Sequence, residues 1–159
     1  MKILLICSIF SLGAFAADSC DKLEDYSNGT NPKEVCYAVK AAVNDSNCHS
    51  MDKYAHGISQ RSICLAVKNA KKSFQACDTL EKSGHGISAR DFCWGVRFAV
   101  LKGDCSVIKK TNLGISQSQV CQAISTQLKG ASCESLSRDS YLISPQEICQ
   151  SFQKASFKY

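Results

Sequence analysis

The chain has 159 residues, of which 45% are hydrophobic and 21% charged, and its formal net charge is +5. This mild basic excess allows attraction to acidic surfaces, but it gives no reason to expect a nucleic-acid partner. After the first residues no stretch is apolar enough to cross a membrane, so we expect the mature protein to be soluble.

The first 16 residues are typical of a secretory signal peptide. Lys2 supplies a positive start, an apolar run follows, and Ala14 and Ala16 form a small-x-small cleavage site. Cleavage after Ala16 removes Cys7 and leaves ten of the 11 cysteines. Because an even number of cysteines is typical of an oxidising compartment, we expect residues 17–159 to be secreted or periplasmic.

The remaining cysteines recur with a fixed period. They form five C-x15-C pairs, and successive pairs are 28 or 29 residues apart, which is typical of a solenoid-like array. The pairs are Cys20–Cys36, Cys48–Cys64, Cys77–Cys93, Cys105–Cys121 and Cys133–Cys149. The sequence therefore predicts an all-α domain of five tandem disulfide-stapled helical hairpins, stacked as a short α-solenoid. The approximate repeats are 20–47, 48–76, 77–104, 105–132 and 133–159.

Each repeat is expected to start with a helix of about two turns, which begins at its first cysteine. The residues expected to cap this helix are Ser19, Asn47, Asp104 and Ser132, with Ala76 as the exception in repeat 3. The helix is expected to bury one apolar side chain, namely Leu23, Met51, Leu80, Ile108 or Leu136.

A second helix of about three turns is expected after a glycine turn. The turn glycines are Gly29, Gly57, Gly86 and Gly114, and Leu142 replaces the glycine in repeat 5, so we expect a different turn there. The predicted N-caps are Asn31, Ser59, Ser88, Ser116 and Ser144. Pro32 and Pro145 follow their caps at the first helical position, where a missing N–H costs nothing.

One face of the second helix is expected to form the core. This face carries a slot occupied only by small residues, which lets neighbouring helices approach closely. The small slot holds Ala38, Ala66, Gly95, Ala123 and Ser151.

The repeat favours disulfides within each unit. Pairing across the linkers would leave Cys20 and Cys149 without partners, whereas pairing within units uses all ten cysteines. Zinc and redox sites use close pairs such as C-x2-C, and the sequence has none. We therefore expect structural disulfides and no metal or other cofactor.

The three histidines are the main candidates for chemistry. His56 and His85 occupy the same slot of repeats 2 and 3, where they could act in a hydrolase, or bind an anion or a metal with His49. The simpler interpretation is a polar residue favoured near a helix C-terminus. No G-x-S-x-G, HExxH, Walker or Rossmann motif is present, so we expect no enzyme.

The outward slots of the second helix differ between repeats. The slot after the second cysteine holds Tyr37, Leu65 and Trp94 in repeats 1–3, but Gln122 and Gln150 in repeats 4 and 5. The slot three residues later holds Lys40, Lys68 and Arg97, followed by Ser125 and Gln153. Phe98 lies beside this row in repeat 3. We call Tyr37, Lys40, Leu65, Lys68, Trp94, Arg97 and Phe98 the outer row; it predicts a binding surface, with packing against a neighbouring helix as the alternative.

The leading functional hypothesis is an exported, non-enzymatic interaction module whose outer row binds a protein or an anionic envelope polymer. The alternative is a secreted membrane-active effector or toxin that acts on anionic lipid. In architecture the expected array resembles Sel1-type and tetratricopeptide-type solenoids. The likeness does not extend to their motif residues, and the period is shorter.

Overall fold

The computed structural model describes residues 18–26, 29–83, 86–110, 114–140 and 142–159. The α-helices in this part of the chain are α1 (Pro32–Val43), α2 (Gln60–Lys72), α3 (Phe74–Asp78), α4 (Ala89–Val100), α5 (Gln117–Leu128) and α6 (Pro145–Lys154). Short 3₁₀-helices span Ser19–Lys22, Cys48–Ser50, Cys105–Val107 and Cys133–Ser135. The described residues contain no strand, so the predicted all-α fold is confirmed. The predicted signal peptide, including Cys7, lies outside the described residues.

Five disulfides join the two cysteines of each repeat, as the spacing predicts. Their Cα–Cα distances lie between 5.5 and 5.7 Å. Each bond closes a loop of about 17 residues, which the chain-entropy model values at about 3 kcal/mol. Five such bonds are typical of an oxidising extracellular or periplasmic environment.

The five long helices begin at the predicted N-caps. Each cap accepts a hydrogen bond from the backbone N–H three residues later, so orphan donors at the helix start are satisfied. In repeats 1, 4 and 5 the third helical residue also reaches back to the cap, which completes a capping box. The complete boxes are Asn31–Glu34, Ser116–Gln119 and Ser144–Glu147.

The first helix of each hairpin is shorter than predicted. In four repeats it is a single 3₁₀ turn, after which the backbone becomes extended. The apolar side chain of the first helix is only partly buried, and polar residues dominate the positions three and four residues after it, so a second turn would add little burial. The prediction of two turns was wrong for this reason.

The extended segment is instead attached to the start of the long helix. In all five repeats the N–H of the second helical residue donates to a carbonyl nine residues earlier, with N–O distances of 3.1 to 3.4 Å. The donor–acceptor pairs are Lys33–Glu24, Arg61–Asp52, Arg90–Glu81, Ser118–Lys109 and Gln146–Ser137. This bond fixes each hairpin in the same shape.

Repeat 3 departs from the pattern, since its first helix is α3. Ser73 accepts a hydrogen bond from the N–H of Ala76 at 3.0 Å and caps α3. The linker before Cys77 has 12 residues instead of 11, and α3 begins within it. Ala76 is therefore inside α3. The expectation that the helix begins directly after Ala76 without a capping residue was wrong. In repeat 1 Asp18, and not the predicted Ser19, is the cap.

The array of repeats closes into a ring in the order α1, α2, α4, α5, α6, with α6 packed against α1. The Ser151 hydroxyl of α6 donates to the Pro32 carbonyl of α1 at 2.8 Å. A Cβ atom added to Gly95 of α4 would lie 2.9 Å from the Gln117 carbonyl of α5. In both interfaces the residue in the small slot of one helix contacts the first residue of the next helix. The closing interface between α6 and α1 therefore has the same geometry as the interior interface between α4 and α5. The five long helices consequently run parallel around the ring.

Apolar side chains fill the interior of the ring. Phe92, Phe152 and Phe157 are fully buried, and the ring centroids of Phe92 and Phe152 are 6.3 Å apart although they belong to repeats 3 and 5. The backbone after α6 crosses towards α5, where Gln127 donates to the Phe157 carbonyl at 3.0 Å. The C-terminal segment therefore covers the end of the ring at which the long helices finish.

Leu142 closes the opposite end of the ring. Cβ atoms added to Gly29, Gly57 and Gly114 would lie 3.0, 3.2 and 3.9 Å from its methyl groups. The residue that breaks the glycine pattern thus sits among the turns of three other repeats. Its carbonyl lies 3.1 Å from the Tyr26 hydroxyl, which donates across the closing interface. Burial, followed by the nearby charge of Glu147, raises the pKa of Tyr26.

Candidate binding surface

The structure places the outer row on three consecutive helices of the ring. Tyr37 and Lys40 lie on α1, Leu65 and Lys68 on α2, and the remaining three residues on α4. All seven are partly buried. The predicted neighbourhood of these residues is therefore present, while their role in binding stays a prediction.

The polar atoms of the row find partners within the chain. The Tyr37 hydroxyl donates to Asp21 at 2.5 Å, and the Trp94 indole N–H donates to Asp78 at 3.1 Å. Both aspartates directly follow the first cysteine of their repeat. The hydrogen bond to Asp21, with a contribution from desolvation, raises the pKa of Tyr37 to about 12. These bonds fix the orientation of both aromatic rings.

The lysines of the row form surface ion pairs. Lys40 contacts Asp18, and the Lys68 ammonium lies 2.8 Å from Asp45. The hydrogen bond from its lysine holds the pKa of each aspartate below its usual value. Since both aspartates are accessible at the surface, an anionic partner can compete with them for the ammonium groups.

Arg97 has a structural role that the sequence analysis missed. Its Nη1 lies 3.0 Å from the Ala70 carbonyl and 3.4 Å from the Lys71 carbonyl, both at the C-terminus of α2. The same nitrogen donates to the Tyr159 hydroxyl at 3.1 Å. Arg97 therefore caps a neighbouring helix, and only part of its guanidinium is accessible.

An aromatic cluster forms the most apolar part of the outer row. Phe74 of α3 lies 4.7 Å from Trp94 and 5.3 Å from Phe98, measured between ring centroids. Leu101, the residue that ends α4, is 49% exposed, and Tyr159 is 63% exposed. Tyr159 lies beside the cluster, because the Arg97 guanidinium that contacts its hydroxyl is 5.7 Å from the centre of the Phe74 ring.

Sequence reasoning missed Phe74 and Tyr159. Phe74 belongs to the one linker that has an additional residue, and this length difference was the available signal. Tyr159 is brought to Arg97 by the chain that covers the ring end, and nothing near it in sequence indicates that contact. In repeat 3 the outer row packs against a neighbouring helix, as the alternative interpretation predicts, because Trp94 and Phe98 contact α3.

The histidines are not gathered into a site by the described residues. His49 and His56 are exposed, and His85 lies outside the described residues. Within the described ranges, no group of three or more His, Cys, Asp or Glu side chains could hold a metal ion. No helix of those ranges is long and apolar enough to span a membrane.

A second concavity follows the closing interface between repeats 1 and 5. This groove has a volume of about 560 Å³ and is lined mainly by polar and charged side chains. Arg138 donates to Gln146 there at 2.7 Å, and Glu147 accepts from the backbone N–H of Ser144. Both hydrogen bonds lie within repeat 5, and the groove offers no aromatic side chain, so the outer row is the better candidate surface.

The fold and the outer row together define a cysteine-rich, disulfide-stapled helical-repeat protein with a closed ring. Comparisons of the chain with protein-family models, with curated proteins and with solved structures found no match.

Proposed function

We propose that the protein is an exported, non-enzymatic interaction module that binds a protein or an anionic envelope component through the outer face of repeats 1–3. The observation that carries the proposal is the alignment of Tyr37, Leu65 and Trp94, each partly exposed, in the same outward slot of three neighbouring helices. Aromatic residues and arginine are enriched at binding surfaces, and contiguous apolar patches are uncommon on monomers.

Comparison of the repeats supports a function for the row. Gln122 and Gln150 occupy the first outward slot of repeats 4 and 5, so the hairpin forms without an apolar side chain there. Packing against α3 accounts for Trp94, but α3 does not recur in the first two repeats. Tyr37 and Leu65 pack partly against the core and keep an exposed side, which a partner would cover.

The repeat sequences also supply a variant designed to keep the fold. Replacing Tyr37, Leu65 and Trp94 with Gln gives repeats 1–3 the residue that repeats 4 and 5 already have. We expect this triple variant to lose capture of the partner from envelope and culture fractions while its thermal unfolding stays cooperative. The control is Gln122→Ala with Gln150→Ala, which changes the same slots on the other side of the ring. Equal capture by both variants would show that the row is not the binding surface.

The single tryptophan allows a direct measurement. Trp94 is partly exposed, so its emission should shift to shorter wavelength when a partner covers it. A captured partner that leaves the emission of Trp94 unchanged binds elsewhere on the ring.

A further inference from the structure

A set of lysines surrounds the end of the ring at which the parallel long helices finish. Since all five helices point the same way, the last residues of each helix and the residues that follow lie at this end. The lysines there without an acidic partner in the described ranges are Lys71, Lys72, Lys102, Lys129, Lys154 and Lys158. We call this surface the basic end. All of these lysines except Lys71 are exposed, and Lys71 is partly exposed.

The helix dipoles explain some of this charge but not all of it. Cations are favoured near helix C-termini, and five parallel helices present five such termini together. That preference does not account for the apolar side chains of Leu101 and Tyr159, which are exposed at the same end. The nearby carboxylate of Asp45 pairs with Lys68 at 2.8 Å and is shared electrostatically with Lys71 and Lys72, so one acidic group faces three lysines.

A cleft at this end concentrates the positive charge. It lies between the ends of α1 and α2, has a volume of about 310 Å³, and is lined by Ala42, Val43, Asp45, Lys68, Lys71 and Lys72. Three ammonium groups face one carboxylate, so the cleft carries an excess of positive charge. It is large enough for a phosphate group, whose charge the lysines would complement.

We propose that the basic end adsorbs to the surface of an anionic lipid bilayer, with a headgroup phosphate in the cleft between α1 and α2. The lysines belong to four of the five long helices or to the residues that follow them, so only an extended surface can meet them together. Lysine attracts phosphate without requiring the matched geometry that arginine uses, and it is depleted from protein–protein interfaces. Tyr159 and Leu101 provide the apolar contact that suits a membrane–water boundary.

The basic end shares Lys68 with the outer row through the lining of the cleft, but the adsorption does not rest on the function proposed above. The protein would dock through charge with its filled interior intact, without opening the bilayer. It therefore also differs from a membrane-active toxin.

The test is sedimentation of the full protein with vesicles of neutral phosphatidylcholine, or with vesicles that contain about 30% phosphatidylglycerol. We expect binding to the anionic vesicles only, its loss in about 0.5 M salt, and no release of trapped dye. In the variant Lys71→Glu with Lys72→Glu, the vesicle partition coefficient should fall at least about tenfold.

The matched control is Lys82→Glu with Lys110→Glu, two exposed lysines on the extended segments before α4 and α5, towards the end of the ring at which the long helices begin. It changes the net charge by the same amount, and we expect less than about a twofold effect on binding. If both variants lose vesicle binding equally, the binding depends only on net charge, and the proposal is overturned. It would also be overturned by dye release, by absence of binding to the anionic vesicles, or by binding to soluble polyaspartate alone, which would indicate an acidic protein.

The Gln triple variant of the outer row separates the two proposals. It should bind anionic vesicles as the unmodified protein does, whether or not it captures a protein partner. If it loses vesicle binding as fully as the Lys71 and Lys72 variant, lipid meets the outer row and the assignment to the basic end is wrong.

Discussion

Ser156 and Gly130 occupy the same position after their helices, but only glycine suits the conformation that this position requires. Both have positive φ angles, +55° for Ser156 and +69° for Gly130. Each is followed by a residue whose N–H donates to the carbonyl five residues earlier, which closes a Schellman motif. Ser156 therefore holds a left-handed backbone that is unfavourable for a residue with a Cβ atom.

Exchanging the two residue types should change stability in opposite directions. Ser156→Gly should raise the free energy of unfolding by roughly 0.5–1 kcal/mol, since the strain is relieved and the side chain is exposed. Gly130→Ala should lower it by about 1 kcal/mol through the backbone alone. An added Cβ at Gly130 would meet no atom within 4 Å, so no clash contributes. Urea denaturation measures both values, and a loss of stability in Ser156→Gly would contradict this account of the helix end.

Among the long helices, α2 ends differently from the others. The Schellman bond recurs after α1, α4, α5 and α6, whereas α2 passes into α3 through the extended residue Ser73. The carbonyls of Ala70 and Lys71 consequently depend on Arg97, whose guanidinium also lies 5.7 Å from the centre of the Phe74 ring. One side chain of α4 thus completes α2 and packs against α3.

Arg97 and Lys68 share a slot in the repeat, which makes them a matched pair. Arg97→Ala should lower the free energy of unfolding by about 1–3 kcal/mol, because it leaves partly buried carbonyls without a donor and removes packing on Phe74. Lys68→Ala removes an accessible ion pair with Asp45 and should cost less than about 1 kcal/mol. Chemical denaturation of both variants measures the difference. If Lys68→Ala costs as much as Arg97→Ala, the capping role of Arg97 is wrong.

Features whose determinants lie close together in sequence could be predicted. The helix starts at Asn31 and Ser144 need only a cap and a residue three positions later, and each disulfide joins two positions of one repeating unit. The closure of the ring could not be predicted in this way. It depends on Ser151 meeting Pro32 and on Leu142 reaching the turns of other repeats.

The outer row shows the same limit. Its slots follow from helical spacing, but the partners of its side chains come from segments whose path the repeat pattern does not give. Asp45 was assigned no role although it pairs with Lys68. Asp21 and Asp78 could have been found by comparing repeats, because they occur where the outward residue is Tyr37 or Trp94, both hydrogen-bond donors.

At the scale of the whole molecule, closure gives every repeat two neighbours. In an open array the terminal repeats contact one neighbour and can unfold by themselves, so stability is close to a sum over repeats. In this ring α6 packs on α1, and Ser19 donates to the Lys154 carbonyl at 2.8 Å. Repeat 1 should therefore behave like an interior repeat.

Removal of single disulfides distinguishes the two cases. Cys20→Ala with Cys36→Ala deletes the staple of repeat 1, and Cys105→Ala with Cys121→Ala deletes that of repeat 4. By the chain-entropy model each should lower the free energy of unfolding by about 3 kcal/mol. If the ring unfolds as one unit, both variants should keep a single transition, and the slope of the unfolding free energy against denaturant should change equally in both, because each deletion releases a loop of the same length in the unfolded chain. Backbone amide hydrogen exchange should then be faster than in the unmodified protein by a similar factor in all five repeats. If the first variant loses protection only in repeat 1 and unfolds in two steps, the contact between α1 and α6 does not hold the chain closed in solution.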